Sequence, residues 1–437
     1  MKKALIITYY WPPSGGGGVQ RWLRFVKYFK QFGIEPIVFT PENPESPALD
    51  ESLLLEVPEG TTIVKKNGWE PYTFYKKFTG KKKDDRINTG FLAEKGSNKN
   101  AEDISVWIRG NLFIPDARKF LIKPSIKFLV SYLKEKPVDI IVSTGPPHSM
   151  HMIALGLKKK LNIPWLADFR DPWTNIDFYS KLKLTKWADR KHRRQERSVI
   201  DNADKLVTVS WSWAEDFKRL GAKNIDVITN GFDPDDYKSL TSSPSKYFEI
   251  CHIGSMNKDR NPLSLWEALA EVAEKIDGFK EDLKIILLGS TDHDVFSSLS
   301  NKQLIEKVEH IGYMPHKEVL QKAYNTSILI LPLNDTPNVA GIIPGKIFEY
   351  IALNKPIICI GPKNGDSARI IRETKSGETV NFEDKDLMVD IIINHYNEFK
   401  KDKSIGLKTS NYNAYSRVEL TKRMASLLIS TTLSTKD

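Results

Sequence analysis

Cysteine is nearly absent from this chain: Cys251 and Cys359 are the two present in 437 residues. Both lie inside apolar, strand-like runs and far from any second ligand, so buried thiols are expected rather than a disulfide or a cysteine metal site. Long hydrophobic runs are missing as well. No stretch approaches the roughly 20 apolar residues of a membrane-spanning helix. A secretion signal is suggested only superficially by MKKALIITYYWPP, whose apolar run breaks at Tyr9, Trp11 and Pro12 with no small-residue cleavage site. A first β-strand is expected there, and the protein is expected to stay in the cytoplasm. Neither GxGxxG nor a P-loop with its Lys-Ser/Thr pair occurs in the glycine-rich stretch at the start of the chain. Acidic residues fall short of basic ones, 55 against 65, and the net charge of +10 calls for an anionic partner. Nucleic acid, an anionic membrane and a phosphorylated substrate all satisfy that number. The length suits two domains of about 200 residues each.

What is present centres on Pro332–Gly361, PLNDTPNVAGIIPGKIFEYIALNKPIICIG. One apolar run ends at its start and a second closes it. Between them Pro344 and Gly345 precede a helix whose apolar face is Ile347, Phe348, Ile351 and Ala352, and Asn354 with Pro356 stops it. Lys346 and Glu349, three apart, share the first turns. A strand, loop and helix opening of this kind attracts an anion, and a carboxylate one turn on can accept hydrogen bonds from vicinal hydroxyls. The spacing serves equally for a surface ion pair on an amphipathic helix.

The first half alternates strands with loops that carry chemistry. Ala4–Thr8 is a strand; the turn Trp11-Pro-Pro-Ser-Gly-Gly-Gly-Gly18 lets backbone approach a ligand closely and leads to a helix over Val19–Phe32. Glu35–Thr40 is the second strand. Pattern then degrades from Pro41 to Asn111, and residues 76–103 read as a solvated insertion. A helix over Ala117–Leu133 and a strand over Val138–Val142 lead to Ser143-Thr-Gly-Pro-Pro-His-Ser149, where His148 stands at a strand's carboxyl end, the ligand side of open α/β sheets; His151 falls in the next helix. Asp168-Phe-Arg-Asp-Pro-Trp173 sets two carboxylates around an arginine at another strand end, a set equally suited to a self-contained salt-bridged loop. Lys181–Arg197, KLKLTKWADRKHRRQER, combines a narrow apolar stripe with many cations, which fits an anionic bilayer surface or a solvated surface helix. No reading motif with aromatic platforms accompanies it, so nucleic acid is not expected as a partner. A second βα alternation starts at Tyr247, with a turn through Lys258 and Arg260 before a helix over Leu263–Ile276.

Taken together, PGKIFEYIALNKPI, the glycine turn, the His148 loop and Asn230-Gly-Phe-Asp233 resemble, in order and over nearly the whole chain, the retaining GT4 family of GT-B glycosyltransferases of bacterial polysaccharide-biosynthesis type. The resemblance implies an α/β fold of two Rossmann-like domains facing across a cleft. These would be residues 1–233 on the acceptor side, a linker at 234–246, a nucleotide-sugar domain at 247–410 and a terminal helix at 411–437 returning to the first domain. It implies glycosyl transfer from a nucleoside diphosphate sugar to a saccharide or lipid-linked acceptor, with retention. Gly17, Gly18, Arg260, Gly345, Lys346 and Glu349 would bind the donor, with Glu349 on the ribose; His148, preferred over His151, and Asp171 would be catalytic; Asp168 and Arg170 would contact acceptor or sugar. Lys258 competes with Arg260. No DxD motif stands at a suitable strand end, so neither a metal nor a resident cofactor is expected. The chain departs from the family where many members carry a first glutamate eight positions before Glu349: here Gly341 stands, and Asp335 is out of register. A catalytically degenerate nucleotide-sugar-binding protein is the alternative that this departure suggests. Lys181–Arg197 is expected to hold an anionic membrane surface, making the protein peripheral at the inner face of the cell membrane.

Overall fold

A computed structural model describes residues 1–46, 48–69, 99–176, 179–403, 407 and 411–434. The chain divides into two compact units, Met1–Thr229 with Arg417–Asp437, and Asn230–Ser416. Asn230–Asp233, expected to close the first domain, thus groups with the second.

In the first unit, seven parallel strands run in the order β3-β2-β1-β4-β5-β6-β7 among the described residues. They are β1 (Lys2–Ile7), β2 (Ile34–Pro41), β3 (Thr62–Lys66), β4 (Ile140–Gly145), β5 (Trp165–Phe169), β6 (Lys205–Thr208) and β7 (Ile225–Val227). The central strands are apolar over most of their length because both faces are covered, with Ser143, Thr144 and Asp168 as buried polar exceptions, and alternate residues serve opposite layers. Ala4 and Ile6 face helix α1 (Gly17–Phe29) and the terminal helix Arg417–Ser434, packing on Trp22, Phe25, Leu420 and Met424. Leu5 and Ile7 face the layer of α3 (Lys119–Glu135) and α4 (Ser149–Leu161), through Leu129, Leu133, Ile153 and Leu157. Between β3 and α3 lies α2 (Lys99–Leu112), and after β5 comes α5 (Lys186–Asn202).

The expected boundaries shift in instructive ways. Helix α1 begins at Gly17, two residues early, because the loop glycines already belong to its first turn. The degraded stretch contains β3, whose burial is confined to Val64, as befits a sheet edge with little apolar pattern to read. Of the insertion expected at 76–103, residues 76–98 lie outside the described residues, and its end is helical from Lys99.

Among the described residues the second unit holds a six-stranded parallel sheet, β10-β9-β8-β11-β12-β13: β8 (Phe248–Ile253), β9 (Leu283–Leu288), β10 (Val308–Ile311), β11 (Ile328–Pro332), β12 (Ile357–Ile360) and β13 (Gly377–Val380). Helix α6 (Leu263–Lys275) and α9 (Lys385–Lys401) cover one face with Leu265, Leu269, Met388 and Ile392; α7 (His316–Tyr324) and α8 (Lys346–Ala352) lie between them in sequence. Cys251 and Cys359 are buried free thiols in β8 and β12. In each sheet the chain reverses its direction of growth once, between β1 and β4 and between β8 and β11, and the crevice beyond the carboxyl ends of such a strand pair is where open α/β sheets take ligands.

Candidate active site

The first unit's reversal point carries a cavity of about 460 Å³, lined by the glycine turn after β1, Pro146–His148 after β4 and Arg170–Trp173 after β5. The turn can enter α1 because Gly16 sits at φ 91°, a conformation that costs a side chain dearly. Helix α1 has no side-chain cap and no acidic residue in its first turn, so its opening presents bare N–H groups and the positive end of its dipole. Arg170 staples the loops together: Nη1 donates to Gly18 O at 2.8 Å, and Nη2 donates to Pro146 O. A Cβ on Gly18 would stand 2.9 Å from Nη1, so the staple needs glycine there.

His148 is buried at the head of α4 with its ring stacked on Trp173, centroids 4.5 Å apart. Burial, then the neighbouring His151, His192 and Arg170 charges, holds its pKa well below the usual histidine value and so favours the neutral imidazole. His151 is fully buried, tied through Nδ1 to Ser143 Oγ at 2.8 Å, and burial pushes its pKa down to about 3. His148 lines the cavity and His151 does not. Trp173 is itself fixed, its Nε1 donating to His192 Nδ1 at 3.1 Å, while Thr174 bonds Glu196 through both N and Oγ1. The inner face of α5 thereby holds the loop after β5.

Asp168 does not share the cavity. It is fully buried, accepting from Arg21 Nε (3.1 Å) and Nη2 (2.9 Å), Trp22 Nε1 (2.7 Å) and Thr144 Oγ1 (3.0 Å). Burial alone would raise its pKa, but the Arg21 guanidinium and these bonds keep it low. A contact between Asp168 and a sugar is thus replaced by a structural pair joining α1 to β5, whereas Arg170 both lines the cavity and staples its loops. Asp171 stays at the cavity, its charge beside Arg170. Sequence reasoning missed the roles of Arg21, Trp22 and His192, because a helix's period does not show which loops its buried residues serve, and an arginine or histidine in that period carries no burial signal.

In the second unit, Gly254 follows β8 at φ 89°, which brings Lys346 alongside: a Cβ there would lie 3.2 Å from Nζ. Lys346 Nζ donates to Ile253 O at 2.6 Å and to His252 Nε2 at 3.2 Å, and Tyr350 Oη, one turn on, accepts from Ile253 N at 2.8 Å. Burial first, then the Arg260 charge, lowers the Lys346 pKa to about 7, with Glu349 opposing. Arg260 spans the reversal point, Nε on Asn334 Oδ1 (2.9 Å) and Nη1 on Ser255 O (3.2 Å), while Lys258 points to solvent as an exposed side chain. Glu349 Oε1 lies 3.1 Å from His316 Nε2 on α7. Gly345 is exposed at the start of α8. The structure thus brings Arg260, Lys346 and Glu349 together electrostatically, two cations held close against their mutual repulsion. An anionic ligand would relieve that repulsion. Gly341 is buried in a single turn, Val339–Gly341, and Asp335 is exposed on the loop before it.

No group of three or more His, Cys, Asp or Glu side chains able to hold a metal exists among the described residues, nor does a helix long and apolar enough to cross a membrane.

Residues 84–236 match the model of Glycosyltransferase Family 4, and 247–398 that of Glycosyl transferases group 1. No curated protein matches the chain by sequence. Among solved structures, the lipopolysaccharide outer core galactosyltransferase WaaB in its apo form is similar at 14% identity and TM-score 0.56, covering 100% of both chains. A trehalose-6-phosphate protein from E. coli bound with UDP-2-fluoro glucose is similar at 11% and 0.54, over 98% of this chain and 96% of that one. A putative UDP-N-acetylglucosamine 2-epimerase from Listeria monocytogenes is similar at 10% and 0.55, over 99% and 97%. These likenesses establish the fold, which transferases and epimerases share, and the two family models decide between them: the chain belongs to the GT-B glycosyltransferases, a family 4 domain followed by a group 1 domain.

Proposed function

We propose that the protein transfers a hexosyl-type sugar from a nucleoside diphosphate donor to a saccharide or lipid-linked saccharide acceptor, with retention and without a metal or cofactor, in the synthesis of a cell-surface polysaccharide or glycoconjugate on the cytoplasmic side of the membrane. The observation that carries the reading is the Arg260–Lys346 cation pair at the second sheet's reversal point. Charge that develops on a leaving diphosphate is stabilised best by donors fixed in advance in a poorly solvated place, and both cations are already anchored by backbone carbonyls. Glu349 takes the ribose hydroxyls. In the first unit, the bare amino end of α1 at Gly17 and Gly18 offers further N–H groups to phosphate, and His148, neutral and wedged against Trp173, orients the sugar; Asp171, with Asp116, lines the cavity. The leaving phosphate takes the acceptor's proton. Asp168 and Arg170 act as positioning residues in this scheme.

Gly341 favours a second reading, a nucleotide-sugar-binding protein without turnover. One experiment separates the two: incubation with UDP- and GDP-sugars, with and without a panel of saccharide acceptors, in excess EDTA. Release of free diphosphate or a glycosylated product supports the enzyme. Tight donor binding with neither product supports the binding protein, and activity that only Mg²⁺ restores overturns metal independence.

A further inference from the structure

Several exposed large apolar side chains of the first unit gather where the end of α2, the start of α3 and the start of α5 meet. Trp107 and Trp187 are 41% and 60% exposed, and Trp69, Leu112 and Phe120 accompany them. Contacts make these one patch. Trp69 meets Phe120 edge to face at 4.8 Å, Phe120 neighbours Phe113 at 6.1 Å, and the Lys119 ammonium rides over both phenyl rings while donating to Leu112 O at 2.6 Å. Asn111 bolts the α2 end to the α5 start, donating to Trp107 O and Lys183 O and accepting from Thr185 N at 2.7 Å. On α5, the Lys191 ammonium lies 4.8 Å from the Trp187 ring centre, and its charge lowers the pKa of Lys119 after burial has done so.

Along the described parts of α2, α3 and the start of α5 that flank the patch, cations far outnumber carboxylates. Between residues 104 and 134 the only acidic residue is Asp116, and between 178 and 195 the only one is Asp189. Asp116 is turned inward on Ser149 N and Oγ, and Asp189 is taken by Arg193 and Tyr179. Lys123, Lys186, Arg190 and Lys191 are exposed. Arg193 and Arg197 serve the fold instead, paired with Asp189 and Asp201, so the basic segment's strength lies in its first turns and in the neighbouring helices rather than along its whole length.

Indole rings with cations beside them and bare leucine and phenylalanine between them match the boundary of an anionic bilayer, where rings sit at headgroup depth and ammonium groups reach phosphates. A second copy of the chain would bring like charge against like. Phe113, Arg109 and Leu182, from the same segments, line the first unit's cavity. We propose that this patch docks the protein on an anionic membrane surface and that the acceptor reaches the cavity from that surface as a lipid-linked saccharide. The acceptor rests on the glycosyl-transfer reading; the docking does not.

The test uses the full-length protein with vesicles of phosphatidylcholine alone and with phosphatidylglycerol added. Cosedimentation with the anionic vesicles only, weakened by salt, is expected. The double variant Trp107→Ser, Trp187→Ser should lower the bound fraction about tenfold with its melting temperature held, and the charge reversal Lys119→Glu with Lys191→Glu, which spares both indoles, should do the same. No cosedimentation, or equal binding by wild type and both variants, overturns the proposal. So does self-association that the variants abolish, which assigns the patch to a dimer, or equally tight retention on single-stranded DNA, which assigns it to nucleic acid. Donor hydrolysis is read in parallel: its absence from wild type and variants alike, with docking intact, sinks the transfer reading and leaves the surface standing.

Discussion

The imidazole of His148 lies flat on the indole of Trp173, the two planes within 1° of parallel, and Trp173 is in turn held by His192 from α5. In the proposed mechanism His148 orients the sugar, and a side chain fixed through a stacked partner depends on that partner for its aim. His148→Ala should lower kcat about 100-fold, the scale of a misplaced reacting group, with the donor dissociation constant unchanged within about twofold. Trp173→Leu should lower kcat in the same direction while the melting temperature, followed by circular dichroism, tells packing loss from loss of aim. A His148→Ala enzyme with full turnover would remove the residue from the chemistry.

Lys346 gives donor binding a pH dependence of definite sign. Its pKa in the free protein is lowered to about 7, and a diphosphate favours the protonated form. Above that pH, binding must take up a proton, so affinity falls as pH rises from 7 towards 9 and levels off below 7. Calorimetry at pH 8 in buffers of differing ionisation enthalpy should register the uptake. Lys346→Met should abolish both the uptake and the pH slope.

Glu349→Gln keeps shape and removes charge, and should weaken nucleotide binding by roughly 1–3 kcal/mol, the scale of a hydrogen bond to an ionised group. Titration with a nucleoside diphosphate and with the matching deoxyribonucleoside diphosphate checks the assignment to ribose: the variant should no longer distinguish them.

Arg21 and Asp168 are a fully buried pair, 2.9 Å apart. Asp168→Asn leaves the guanidinium uncompensated, and about 3–5 kcal/mol of stability should be lost, measured by urea denaturation. Joint replacement with Arg21→Met should restore part of it. A single variant as stable as wild type would mean that water or a counter-ion reaches the site.

How much of this was legible in sequence differs by level. Strands buried on both faces announce themselves as apolar runs, so β1, β2, β4, β5, β8 and β11 could be read directly, and the Pro344–Gly345 opening with Asn354 as its stop marked out α8. Edge strand β3 could not, since one buried residue leaves no period. At the sites, Arg260, Lys346 and His148 were visible because each follows a strand end, whereas the division of labour within Asp168-Phe-Arg-Asp was not: alternation along β5 turns Asp168 into the core layer, and only the position of Arg21 on α1 explains why a carboxylate is tolerated there. The partners of α5 were hidden for the same reason, because a helix's periodicity reveals that a face is buried and not what it touches.

Helix α5 divides its residues between two tasks. His192 and Glu196 on the inner side hold Trp173 and Thr174, while Lys186, Trp187, Arg190 and Lys191 are turned outward. Because the two sets share no side chain, the outer set can be rewritten in sign, length or hydrophobicity without disturbing the loop that aims His148. The helix is therefore a natural place to graft a new surface: a variant bearing a different outer face should keep the His148–Trp173 stack intact and change only what the protein meets on that side.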